Sequence, residues 1–245
     1  MSHNPRKAQA FIALITTAGL CSLTYGLTHT STWHVEESLV LFAITVAASR
    51  MKVKLPGLSG NMSVNLPFPL LAVAELNPLE ALVVACVSTA VQCLPTDGRK
   101  PKPVQMLFNI SSTAFAVILG WLVFHQGANA HIAWLSGATL LTLAVAGFFL
   151  IQTVPVSVMI TLTDKGPVHR VWTNIARMTF PYYVLSAGMA FMVMTVRQHV
   201  GWQLPILLLP VMYGTYSSYR MYFGREAAAA EQHEALLAHG ATAGR

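Results

Sequence analysis

Apolar residues along this chain come in runs rather than in an alternating pattern. Six stretches, near Ala8 to Leu27, Val35 to Ser49, Val104 to Phe124, Ile132 to Gln152, Thr179 to Val196 and Gln203 to Tyr222, have lengths compatible with membrane crossing. About 20 helical residues cover the ~30 Å hydrocarbon core of a bilayer. A seventh run, Leu66 to Leu94, is different: as one straight helix it would extend ~43 Å, and Glu75, Asn77, Pro78 and Glu80 interrupt its middle. Proline lacks a backbone donor and disfavours helix in the residue before it, so Pro78 predicts a break and a fresh helix start. Asn77 then becomes the N-cap, with Glu80 in the first turn, where the helix dipole favours a carboxylate. The segment reads as a re-entrant, broken-helix hairpin, Leu66 to Glu75 (~15 Å) going in and Pro78 to Leu94 (~25 Å) coming back.

Charge fixes the orientation that this pattern leaves open. Of 245 residues, 54% are hydrophobic and 10% charged, against roughly a quarter charged in soluble domains, so the net charge of +6 does not point to nucleic acid. Basic residues cluster before the first span (Arg6, Lys7), after the second (Arg50, Lys52, Lys54), before the third (Arg99, Lys100, Lys102) and between the fourth and fifth (Lys165, Arg170, Arg177). With both termini inside, all but one of the 15 basic residues are cytoplasmic and only Arg197 is outside, the asymmetry of the positive-inside rule. A single crossing over 66–94 would invert every later loop. The expectation is an all-α integral membrane protein of a bacterial inner membrane. It has six transmembrane helices plus the hairpin, a membrane domain over 1–224 and a cytoplasmic helical tail over 225–245. The first span resembles a signal peptide, but "LTHTSTWHVEE" offers no small-residue cleavage site.

Candidate chemistry concentrates around the hairpin. A carboxylate at bilayer depth costs ~2.5–3.5 kcal/mol on insertion scales, so Glu75 implies either a polar site at the turn or a tip that reaches water. Asn61, Asn65, Gln92, Gln105 and Asn109 join Glu75 and Glu80 as candidate ligand-binding residues, with Ser63, Ser111 and Ser112 nearby. Gln105, Asn109 and Ser112 share a helical face; hydrogen bonding between helices is the plainer role for each alone. His29, His34, His125 and His131 fall on the outer side without metal-site spacing. Cys21, Cys86 and Cys93 show no CxxC pattern, and phosphate-loop, HExxH and GxSxG motifs are missing from the sequence. No cofactor, metal or enzymatic activity is expected. The segment "PVHRVWTNIARM" over 167–178 is amphipathic and reads as an interfacial helix.

The segments "KVKLPGLSGNMSVNLPFPLLAVAELNPLEALVVACVSTAVQ", "KPVQMLFNISSTAFAV" and "GWQLPILLLPVMYGTYSSYRMYFGR" resemble the N-terminal multi-pass, membrane-associated sensor module of bacterial HD-GYP and GGDEF signalling proteins, over roughly Leu39 to Arg225. The resemblance implies a last span that continues through "SSYRMYFGREAAAAEQHEALLAHG" toward a cytoplasmic output domain. This sequence reaches Arg245 without one, so cyclic-dinucleotide chemistry is not carried over. The function expected is a sensor that binds a small molecule or lipid and acts on a cytoplasmic partner, or on a second copy, through the tail. A small-solute transporter, for which broken helices with carboxylates are a common device, is the alternative, and an intramembrane enzyme the third.

Overall fold

The computed structural model describes residues 5–30, 32–54, 61–94, 102–129, 136–164, 167–200, 204–222 and 224; the tail over 225–245 lies outside them. The helices are α1 (Pro5–Thr28), α2 (Val35–Ser49), α3 (Pro67–Glu75), α4 (Pro78–Cys93), α5 (Pro103–Asn129), α6 (Gly137–Asp164) and α7 (Val168–Val200). A 3-10 turn, Leu204–Leu207, leads into α8 over 208–222. A short antiparallel ladder, β1 (Lys52–Lys54) with β2 (Asn61–Ser63), pairs Val53 with Met62 and departs from the purely helical expectation. Among the described residues, four helices, α1, α5, α6 and α7, are long and apolar enough to cross a membrane. The 15-residue α2 and α8 are shorter than that, so six crossings do not follow from length alone.

Burial separates the hairpin from its surroundings. Every residue of α3 from Pro67 to Ala74 is buried, and a helix that is apolar and covered all round belongs in an interior. It packs on α4, α5, α7 and α2. The long helices instead expose large apolar side chains, such as Leu14 and Leu20 on α1, Leu150 on α6, and Val184 and Phe191 on α7, which suits contact with lipid tails. Gly19 lets α1 approach α5 closely: a Cβ there would stand 2.6 Å from Ser111 Cβ and 2.7 Å from its Cα.

A broken helix inside a bundle leaves backbone groups without intrahelical partners, each costly away from water. At the start of α3, Pro67 and Pro69 remove two donors outright. The Leu66 N–H donates to Tyr182 Oη (2.8 Å) and the Phe68 N–H to the Asn65 carbonyl (3.2 Å). At the break, Asn77 and Glu80 form a reciprocal capping box, with Glu80 N–H donating to Asn77 Oδ1 (2.8 Å) and Asn77 N–H to Glu80 Oε2 (3.4 Å). Two side chains of α5, one turn apart, cover the carbonyls at the end of α3: Trp121 Nε1 donates to Leu76 O and His125 Nε2 to Val73 O, both at 3.0 Å. A carbonyl only accepts, so His125 carries its proton on Nε2.

Two long helices continue past the boundaries that the sequence suggests. Instead of ending near Gln152, α6 runs on through Pro155. Proline cannot donate to the carbonyl four residues earlier, here Ile151, and Ser112 Oγ of α5 donates to that carbonyl at 3.0 Å. Residues 168–178 are not a separate element either: they are the first turns of the 33-residue α7, ~50 Å long, which exceeds the hydrocarbon thickness. The half-covered Trp172 in these turns donates to Thr153 Oγ1 of α6 (3.2 Å), so the apolar face is turned toward the bundle.

The Ser112–Ile151 bond is tested by a double-mutant cycle. Ser112→Ala should lower stability in detergent by ~0.5–1 kcal/mol. In a Pro155→Ala background, where residue 155 supplies the missing N–H, the same change should cost clearly less. Equal costs in both backgrounds would contradict the assignment.

Candidate functional site

The polar residues around the hairpin fall into two groups at its opposite ends. At the tip, Arg197 near the end of α7 binds two carboxylates with separate nitrogens: Nη1 to Glu75 Oε2 at 2.6 Å and Nη2 to Glu37 Oε1 at 2.7 Å. About a quarter of each side chain is exposed, so these are charge-assisted bonds in a partly dry setting. Glu80 is 3% exposed and is saturated locally. Beyond its capping role, its Oε1 accepts from the His34 N–H (2.8 Å) and Ser38 Oγ (2.9 Å), and His34 Nδ1 lies 3.7 Å from Oε2. Asn77 Nδ2 adds a bond to the Thr32 carbonyl (2.6 Å). The tip is thereby fastened to α2, α5 and α7 and to the chain after α1.

The other group surrounds a cavity of about 790 Å³ at the base of the hairpin, among α3, α4, α5, α6 and α7. Its volume lies within the ~300–1,000 Å³ range of ligand pockets. Asn65, Gln92, Gln105 and Asn109 line it, with hydroxyls from Thr89, Thr113 and Tyr182 and apolar surface from Phe108, Phe148 and Met159. A polar chain crosses one wall: Gln152 Nε2 donates to Thr113 Oγ1 (3.0 Å), which lies 3.2 Å from Thr89 Oγ1. Asn109 Nδ2 makes a long contact, 3.5 Å, with Cys93 Sγ.

The seven candidate residues therefore do not form one site. Asn65, Gln92, Gln105 and Asn109 share the cavity, whereas Glu75 and Glu80 belong to the tip. Glu80 and Gln92 are separated by ~18 Å of α4. Asn61 is in β2, and its side chain lies outside the described positions. Glu37, Gln152, Trp121 and Tyr182 were not anticipated, and His125, expected only on the outer side, meets the hairpin at Val73. The one signal that could have found the tip cluster was Arg197, the single basic residue on the wrong side of the charge asymmetry. Of the four outer-side histidines, the three described ones are occupied separately, His125 on Val73, His34 beside Glu80, and His29 stacked on Tyr25; His131 lies outside the described residues.

Apolar helices of spanning length packed around a hairpin whose first helix is buried define a multi-pass membrane module. The chain belongs to the MASE9 family, whose model matches residues 20–222. MASE domains are multi-pass, membrane-associated sensor modules. No curated protein and no solved structure matches the chain.

The tip cluster yields a charge-balance prediction. Arg197→Met leaves Glu37 and Glu75 facing each other without a cation and should cost ~1–3 kcal/mol. That is below the ~3–5 kcal/mol of a fully buried broken pair, because solvent screens the site in part. Adding Glu37→Gln and Glu75→Gln to Arg197→Met should restore most of the loss in a detergent unfolding assay. A triple variant no more stable than Arg197→Met would rule out the charge argument.

Proposed function

We propose that the chain is an inner-membrane sensor module that binds a small molecule or lipid in the cavity at the hairpin base and transmits occupancy to a cytoplasmic partner. The observation that carries this reading is the cavity itself, where polar groups from four helices converge beside apolar surface. Its wall includes Ile175, Thr179, Tyr182 and Tyr183 of α7. Tyr182 also holds the base of the hairpin through Leu66. Since α7 leads through the 3-10 turn into α8, a ligand pressing on α7 acts on the element that precedes the tail. The partner fits the signalling proteins that the sequence resembles, HD-GYP or GGDEF output domains, or a second copy of the chain. No catalytic role is assigned.

In this reading both termini are cytoplasmic, the cavity faces the cytoplasmic half of the bilayer and the hairpin tip faces outward. The charge count supports that orientation, and the pairing of Arg197 with Glu37 and Glu75 removes its single exception as an isolated charge. Single-cysteine labelling in intact cells, on a background without the native cysteines, should modify position 198 from outside and position 102 only after permeabilisation. The reverse pattern would invert the module.

Ligand binding is tested by native mass spectrometry of the full chain purified from its own membranes. The wild type should carry a bound molecule, and Thr113→Phe, which pushes a ring into the cavity and removes the hydroxyl that links Gln152 and Thr89, should carry markedly less of it while keeping its elution profile. Identical adduct spectra for the two proteins would refute the proposal.

A further inference from the structure

The charge inventory of the cavity narrows the ligand class, given that the cavity is the ligand site proposed above. Among the residues that line it, only Lys102 carries a formal charge, and Lys102 stands exposed just before α5. No carboxylate is among the described residues that line it. The two acids of the hairpin, Glu75 and Glu80, are held at its far end by Arg197, Ser38 and the capping box. Several hydroxyls are engaged already: Thr113 with Gln152 and Thr89, Thr153 with Trp172, and Tyr182 with the Leu66 N–H.

What remains available are primary amides. Asn65, only 8% exposed, Gln92 and Gln105 have no side-chain hydrogen-bond partner among the described residues, and Asn109 has only its long contact to Cys93. Each amide offers two N–H donors and a carbonyl without net charge, and a buried amide left unpaired is costly. A charged group pressed against them would lose its hydration and gain no countercharge, the least favourable arrangement for a buried ion. The same lining holds Phe108, Phe148, Val156, Met159 and Ile160. Val104, also in the lining and 57% exposed, brings one rim of the cavity to the outer surface of the bundle.

We infer that the cavity takes an amphiphile with an uncharged, hydrogen-bonding head. Its carbonyl or hydroxyl oxygens meet Asn65, Gln105 and Asn109, and its apolar tail lies along the wall formed by α5 and α6. A cationic amphiphile of the same chain length meets no carboxylate among the described lining residues, and an anionic one meets only Lys102, which is exposed to solvent and away from the amides' buried end.

The full chain reconstituted in phosphatidylcholine nanodiscs can be titrated with three twelve-carbon probes, monolauroylglycerol, laurate and dodecyltrimethylammonium, with occupancy read by native mass spectrometry. Monolauroylglycerol should bind about tenfold more tightly than either charged probe. Gln105→Leu, at the half-open edge of the cavity where folding is not at stake, should reduce that preference, and Asn109→Leu should reduce it further. A charged probe that binds as well as or better than monolauroylglycerol overturns the ligand class and leaves the site standing. If no probe binds the wild type more than it binds Thr113→Phe, the cavity holds water alone and both this inference and the site fall together.

Discussion

Backbone hydrogen bonding at the break in the hairpin is the constraint on which the rest of this structure rests. A helix that stops inside a membrane bundle exposes N–H and C=O groups that no lipid can satisfy. Here the remedy is distributed over the whole chain. Prolines delete donors at the start of α3, Asn77 and Glu80 cap α4, Trp121 and His125 of α5 cover the last carbonyls of α3, and Tyr182 of α7 holds Leu66. The hairpin is therefore a shared part of α5 and α7 as much as an element of its own. Pro155 repeats the principle, with a carbonyl freed in α6 and answered by Ser112 of α5.

The same constraint sorts the charges. Carboxylates near the break are drawn to its tip, where Glu80 completes a cap and Glu75 meets Arg197. The base of the hairpin keeps amides and hydroxyls. The outcome is an ionic clasp at one end and, at the other, a cavity whose described lining is uncharged apart from the exposed Lys102, joined by a helix of nine residues. A membrane-associated sensor module needs a site and an element that feels its occupancy. In the function proposed here the cavity is that site and α7 that element, since α7 touches the cavity at Tyr182 and the clasp at Arg197.

Much of the fold is legible in the sequence because its signals are local. Pro78 with Asn77 and Glu80 predicts the break and the cap, and both are present in the structure; Val35–Ser49 is matched at both ends by α2. The limits of α6 and α7 are not legible, since Pro155 reads as a helix terminator until Ser112 is known to lie beside Ile151, a tertiary fact. The candidate site was half visible. Gln105 and Asn109 share a helical face and both reach the cavity. Glu75 and Glu80 looked like members of the same site because they are close in sequence to Asn65, but α3 and α4 carry them to the other end. Gln152 and Tyr182 gave no signal, because a polar side chain in an apolar run does not announce which neighbour it meets. The family match to MASE9 agrees with the sensor resemblance and is silent on the ligand.

The central claim, a neutral ligand site at the base of a clamped hairpin, is tested most directly by an electron cryomicroscopy structure of the protein in nanodiscs made from its native lipids. Elongated density among Asn65, Gln105, Asn109 and Phe148, with its polar end at the amides, is the predicted result. Side chains collapsed into that volume, or a charged headgroup held there by a side chain of opposite charge, would contradict the account.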